Sequence, residues 1–171
     1  MLKDMLEQVY SAYEGSEILE QYSDRHDIKS AGILTIYDDE AAALVALSIA
    51  PQIEGKTVIE IGGGIGLLAL HMGHIAKRVY CIEANPIWSS CFLAALLADK
   101  PKNVSYLFGA AEEFQGQIRG DVAIFCTHSG INSMKAVASK FAPVVIDVYG
   151  ELIASAPEKF DKAARMLRTI A

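Results

Sequence analysis

The chain has 171 residues, of which 52% are hydrophobic, and its formal net charge is −6 at pH 7. This length suits a single domain. The excess of negative charge argues against binding through many contacts with the phosphate backbone of nucleic acid. The uncharged runs are too short to cross a membrane and the charged N-terminus is unlike a signal peptide, so the sequence predicts a cytoplasmic protein without a membrane partner.

The first part of the chain is predicted to be helical. Residues 3–22 carry apolar side chains at helical spacing, and residues 38–49, DDEAAALVALSI, predict a further helix that Pro51 closes. We assign residues 1–55 as an N-terminal helical segment and residues 56–171 as a cofactor-binding α/β core, both within a single domain over residues 1–171.

From residue 56 onward, short β-branched runs alternate with helical patterns. Because the runs are continuously apolar, the alternation predicts a mostly parallel sheet with helices on both faces, a three-layer α/β sandwich. The predicted strands are 58–61, 79–83, 104–108, 122–127 and 144–148. The predicted helices are 67–75, 86–98, 131–141 and 157–170, with a short helix or turn at 111–114.

Four glycines follow the first predicted strand, in the stretch TVIEIGGGIGLLAL at residues 57–70. Glycine within regular structure costs about 0.5–1 kcal/mol relative to alanine, so this position needs bare backbone. In a parallel sheet, ligands bind at the carboxyl ends of the strands, where a glycine turn lets them approach closely. The third glycine of the dinucleotide fingerprint G-x-G-x-x-G is replaced by Leu67, and the Gly-Lys-Ser/Thr of a phosphate-binding P-loop is absent.

Acidic residues mark the ends of the next two strands. Glu83 ends the second strand about twenty residues after the glycines, where a carboxylate can accept hydrogen bonds from both hydroxyls of a ribose. After the third strand, the small residues 109–111 leave room for a flat ring, and Glu112 can accept a hydrogen bond from an exocyclic amine.

Three stretches, VIEIGGGIGLLAL, VYCIEANP and LFGAAEEF, together resemble the first three motifs of the class I S-adenosylmethionine-dependent methyltransferases. The resemblance covers roughly residues 56–148 and implies a Rossmann-like fold with S-adenosylmethionine as the cofactor. It also implies that the first motif holds the methionine portion, the acid after the second strand holds the ribose, and the segment after the third strand holds the adenine. The residues carried over are Glu60, Gly62, Gly63, Gly64, Gly66, Glu83, Ala84, Ala111 and Glu112, and Asn85 follows the ribose acid beside the base.

Two further residues are candidates through the same resemblance. His128, in CTHSG after the fourth strand, is a candidate general base or substrate contact, and a plain loop histidine is the alternative. The Asp/Asn-Pro-Pro-aromatic motif that the family uses on amino nitrogens of bases is absent there. Tyr37 lies where the family often places a residue over the cofactor, with ordinary packing as the alternative.

The sequence predicts no metal site. His71 and His74 share a helix but lack a third ligand, and the three cysteines, Cys81, Cys91 and Cys126, have no zinc-binding spacing. We interpret these cysteines as reduced, buried core thiols.

The tail departs from the family pattern, because about twenty helix-like residues stand where two further strands usually follow. A shortened sheet with an uncovered edge favours self-association, so a homodimer is expected. The predicted function is methyl transfer to an undefined acceptor, and the acidic charge favours a small molecule over nucleic acid. The alternatives are a non-catalytic, methyltransferase-like structural subunit that pairs with a partner chain, and an NAD-linked oxidoreductase, which Leu67 disfavours.

Overall fold

The computed structural model describes residues 8–9, 11–26, 39–96, 101–126 and 131–148. The predictions made for Tyr37, His128 and the tail helix at 157–170 lie outside these residues. Within the described part of the chain, no helix has the length and apolar character needed to cross a bilayer.

The elements follow the predicted alternation closely, and each observed strand ends within two residues of its predicted end. The strands are β1 (Thr57–Ile61), β2 (Arg78–Glu83), β3 (Val104–Phe108), β4 (Val122–Phe125) and β5 (Val144–Asp147). The helices are α1 (Glu17–His26), α2 (Asp39–Ser48), α3 (Ala50–Ile53), α4 (Leu67–Met72), α5 (Pro86–Leu96) and α6 (Ile131–Ala138), with a 3-10 turn at Ala111–Phe114.

The five strands form one sheet in the order β3-β2-β1-β4-β5, and every pairing is parallel. The strand order reverses at β1, which pairs with β2 on one side and β4 on the other, so a ligand cleft is expected at the carboxyl ends near this point. The register places Glu60 opposite Cys81, and Cys81 opposite Tyr106. These three side chains therefore share one face of the sheet.

Apolar clusters cover both faces of the sheet, as expected for strands that are buried on both sides. Helices α2 to α4, together with Phe92 of α5, cover the face that carries Val58, and Phe141 and α6 cover the face that carries Ile59. A third cluster joins α1 to the loop after β1 and to α5. Its buried members are Leu19, Ala42, Ile65, Leu67, Ile87, Trp88 and Cys91.

Two of the three cysteines agree with the prediction of buried core thiols. All three are free, with Cys81 and Cys91 buried and Cys126 half-buried.

Candidate functional site

The glycine loop, residues 62–66, turns from the end of β1 into α4. Gly62, Gly64 and Gly66 have φ angles of 71°, 57° and 81°, in the left-handed region that costs residues with a Cβ about 1–2 kcal/mol. The backbone N–H groups of Gly62 and Gly63 both donate to the carbonyl of Ile82, at 2.9 and 3.0 Å. The loop is therefore folded over the end of β2.

Two of the glycines are required by close packing, and one faces open space. A Cβ on Gly63 would overlap the Cys81 sulfur, and a Cβ on Gly66 would overlap the Phe92 ring. A Cβ on Gly62, in contrast, would meet no atom of the described residues within 4 Å. Gly62 thus presents bare backbone to an open region, as an approaching ligand requires.

The Glu83 carboxylate ties the end of β2 to the glycine loop. Its Oε2 accepts a hydrogen bond from Gly64 N at 2.7 Å, and its Oε1 accepts one from Asn85 N at 2.6 Å. Burial raises the pKa of Glu83, whereas hydrogen bonds from the backbone of Asn85, Gly64 and Ala84 lower it. The sequence predicted ribose hydroxyls as partners of this carboxylate, and in the structure backbone N–H groups already bind both of its oxygens.

Asn85, expected beside the base, caps α5. Its Oδ1 accepts a hydrogen bond from Ile87 N at 2.9 Å, the usual contact of an asparagine at a helix N-terminus.

Glu60 is a buried acid with an unsatisfied oxygen. Only 5% of its surface is exposed, and its Oε2 has no hydrogen-bond partner among the described residues. Burial raises the pKa of Glu60 to about 8, a hydrogen bond with Cys81 lowers it, and the charge of Glu83 raises it. The carboxyl is therefore mainly protonated at neutral pH, and a cation brought close to it would favour the ionised form.

Two tyrosines that the sequence pattern did not single out also belong to the site. The Tyr106 hydroxyl donates to Gly64 O at 2.8 Å, and its ring stacks on Phe92 with the centroids 3.8 Å apart. Burial and the Glu83 charge raise the pKa of Tyr22 to about 12, so this α1 residue lies within electrostatic range of Glu83. The signal for Tyr106 was its place on β3, two residues before the strand end, whereas no local signal marks Tyr22.

The segment after β3 is joined to the backbone of Glu83. Gly109 N donates to the backbone carbonyl of Glu83 at 2.9 Å. Ala111 is buried and packs in the cluster on the Ile59 face, whereas Glu112 is exposed. The structure therefore brings the three predicted segments together at the carboxyl end of the sheet. His71 lies elsewhere, with its Nε2 2.9 Å from Asp39 Oδ1.

One curated protein is similar to part of this sequence. The chain is 32% identical over 91 residues to the "Probable ribosomal RNA small subunit methyltransferase A" of Methanosphaera stadtmanae. The match covers 53% of the chain and 33% of the relative, so the chain spans about a third of the length of the curated relative it matches. No protein-family model matches the chain.

Solved structures share the fold. The "putative RNA methyltransferase PH1948" of Pyrococcus horikoshii matches with a TM-score of 0.52 and 24% identity, over 61% of the chain and 55% of that structure. The M. jannaschii TYW2 in complex with AdoMet matches with a TM-score of 0.51 and 20% identity, over 60% of the chain and 47% of that structure. The chain has the fold of the class I S-adenosylmethionine-dependent methyltransferases. The resemblance seen in its three motifs is thus confirmed at the level of the fold.

The expected preference for a small-molecule partner over nucleic acid is wrong. The relative at 32% identity is named for ribosomal RNA, and the Pyrococcus horikoshii methyltransferase is named for RNA. The expectation depended on the net charge of −6, which is a sum over the whole chain and does not describe how charge is distributed on the methyltransferase fold.

Proposed function

We propose that the chain is an S-adenosylmethionine-dependent methyltransferase that acts on RNA. The observation that carries the proposal is the glycine loop, with its open space at Gly62 beside the buried carboxyls of Glu60 and Glu83.

The residues of the site fit the parts of S-adenosylmethionine. The unsatisfied Oε2 of Glu60 suits the ammonium of the methionyl portion, because a buried acceptor without a partner is costly and a cation would satisfy it. Glu83 suits the ribose, since a carboxylate oxygen can accept more than one hydrogen bond. The segment at 109–112, next to Glu83, suits the adenine.

When bound, S-adenosylmethionine supplies an electrophilic methyl carbon on a sulfonium. The protein's task is then mainly to bind the cofactor and to orient the acceptor in line with that carbon. His128, which follows β4, remains the candidate for removing a proton from the acceptor, and Tyr37 remains the candidate for covering the cofactor.

RNA is proposed as the acceptor because the relative that shares 91 residues at 32% identity is named for ribosomal RNA. The solved structures are below 25% identity and support only the fold. The proposal is therefore tested on RNA directly, with in vitro transcribed small-subunit ribosomal RNA of an archaeon as the acceptor and tritium-labelled S-adenosylmethionine as the donor. We expect the label to appear in the RNA. If the protein binds the cofactor tightly but the RNA stays unlabelled, the proposal of an RNA acceptor is wrong.

Cofactor binding is tested separately by calorimetry with S-adenosylmethionine, S-adenosylhomocysteine and NAD. We expect the first two to bind, and Glu83→Gln to weaken them by about tenfold or more, because it removes a charged acceptor. Glu54→Gln is the matched control, since Glu54 is exposed and precedes β1 at the opposite end of the sheet. Binding of NAD alone would indicate an oxidoreductase.

A second candidate function is a methyltransferase-like structural subunit without a cofactor. The observation in its favour is that both oxygens of Glu83 already accept backbone hydrogen bonds, at 2.6 and 2.7 Å, so this acid stabilises the loop without any ligand. Failure of S-adenosylmethionine, S-adenosylhomocysteine and NAD to bind a folded protein would support this candidate over the first.

A further inference from the structure

Positive charge gathers at the end of the sheet opposite the glycine loop. Each of the five strands has a lysine or arginine at its first residue or within the four residues before it. Five of these cations are exposed and one is half-buried. We call this set the basic rim: Lys56, Lys77, Arg78, Lys102, Arg119 and Lys140.

Backbone contacts hold the β1, β2 and β3 parts of the basic rim next to one another. Lys77 N donates to Lys56 O at 2.9 Å, which joins the starts of β2 and β1. The side chain of Asn103, which follows Lys102, donates to Ala76 O at 2.9 Å. Because neighbouring strands are about 4.8 Å apart, cations at adjacent strand starts form a row rather than scattered charges.

The β4 and β5 parts continue the row on the other side of β1. Asp121 N donates to Thr57 O at 2.8 Å, and Gly120 N donates to Phe141 O at 3.0 Å. These two contacts place Arg119 beside the start of β1 and Lys140 beside Arg119.

Little negative charge opposes the basic rim. Within the described residues, none of its six cations forms an ion pair with a carboxylate. Among the described residues, the acids at this end are Glu54, which is exposed, and Asp121, whose Oδ2 accepts a hydrogen bond from Thr57 N at 2.8 Å. Arg78 is also held in place, because it donates to Ser105 Oγ at 3.0 Å and lies over the Tyr80 ring.

The opposite end of the sheet is acidic, and this contrast gives the molecule two ends of different charge. Glu83 and Asp147 lie at the ends of their strands, and the exposed Glu112 and Glu113 follow β3. The net charge of −6 therefore conceals a concentrated positive surface on one side of the fold.

We infer that the basic rim binds the phosphate backbone of the RNA acceptor at a distance from the methyl-transfer end. This inference rests on the proposed function and extends it, because it names the surface that holds the acceptor. The two ends are separated by five strand residues, or about 17 Å. An RNA that reaches both must pass around the sheet edge, so a folded RNA fits better than a short single strand. A row of lysine and arginine side chains can bind the phosphates of such a backbone, and this binding releases counterions.

The test is the salt dependence of binding to in vitro transcribed small-subunit ribosomal RNA. Each phosphate contact contributes about 0.7–0.9 to the slope of log K against log salt, so Lys77→Glu and Lys102→Glu should each lower the slope by about that amount. Lys135→Glu is the matched control, because it makes the same charge change at an exposed lysine of α6. We expect it to leave the slope close to that of the natural protein.

The outcomes separate this inference from the proposed function. If the rim variants and the Lys135 control weaken binding equally, or if none of them does, the rim inference is wrong even when methyl transfer to RNA is observed. If the rim variants alone lose the salt-dependent binding but no label enters the RNA, the rim inference holds and the proposed catalysis fails. Calorimetry with S-adenosylmethionine checks that each rim variant is folded, because its affinity should be unchanged.

Discussion

Glu60 illustrates at the scale of one residue how burial changes a group's chemistry. Its pKa rises from 4.5 to about 8 in the fold. Between these values the unfolded chain has released a proton that the folded chain still holds, so the free energy of unfolding falls as the pH rises from about 4.5 to about 8. Glu60→Gln keeps the shape of the side chain without the titration, and we expect its stability to depend less on pH in that range.

Chemical denaturation of both proteins at a series of pH values across this range measures the difference. Parallel stability curves for Glu60→Gln and the natural protein would show that Glu60 does not hold its proton in the fold.

Gly62 offers a second test at the residue scale, because Gly116 is a close match for it. Both have a left-handed backbone, with φ angles of 71° and 82°, and within the described part of the chain a Cβ on either would meet no atom within 4 Å. Alanine at either position should therefore cost about 1–2 kcal/mol of stability. We expect Gly62→Ala alone to weaken S-adenosylmethionine binding in calorimetry, since only its Cβ would enter the proposed cofactor space. Equal affinity in the two variants would place the cofactor elsewhere.

At the scale of elements, β3 supports the glycine loop through Tyr106. Tyr106→Phe removes the hydrogen bond to Gly64 O but keeps the ring stacked on Phe92. We expect a loss of about 1 kcal/mol in the free energy of unfolding and weaker cofactor binding, because one side of the loop is released. Tyr80→Phe, on the adjacent strand, is the control and should leave cofactor affinity unchanged. The idea fails if both variants bind the cofactor equally well.

The elements also show what the sequence can and cannot predict. The five strands were predictable because each is a continuous apolar run between helical patterns. The close packing at Gly73, just after α4, was not, because a Cβ there would lie 2.6 Å from Val104 and 2.9 Å from Pro101. These contacts join segments that are far apart in the chain, and no local pattern contains them.

The same distinction between local patterns and long-range contacts applies to the residues of the candidate site. Glu60 and Glu83 were identifiable because a charge at the end of an apolar strand is conspicuous, and the glycines because their spacing is unusual. The backbone partners of Glu83 could not be predicted, since they depend on how the loop tip folds toward β2. Tyr22 depends on how α1 packs against the core, which the helical pattern does not specify.

At the scale of the whole molecule, α1 packs on the site elements through the cluster that contains Trp88. Trp88 is the chain's single tryptophan, so its fluorescence reports on the contact between the N-terminal segment and the core. If residues 1–171 form one domain, as proposed, denaturation followed by Trp88 fluorescence and by far-ultraviolet circular dichroism should give the same midpoint. An earlier fluorescence transition would show that the N-terminal segment detaches independently.

The close packing of Gly63 against the Cys81 sulfur has a further consequence for the molecule in solution. Because the thiol is covered by the loop backbone and burial raises its pKa well above the usual value, it is inert while the loop stays closed. Alkylation by iodoacetamide should then proceed only during transient opening of the loop. The alkylation rate at Cys81 therefore measures how often the loop opens. Saturating S-adenosylmethionine should lower the alkylation rate of Cys81. An unchanged rate would show that the ligand does not hold the loop closed.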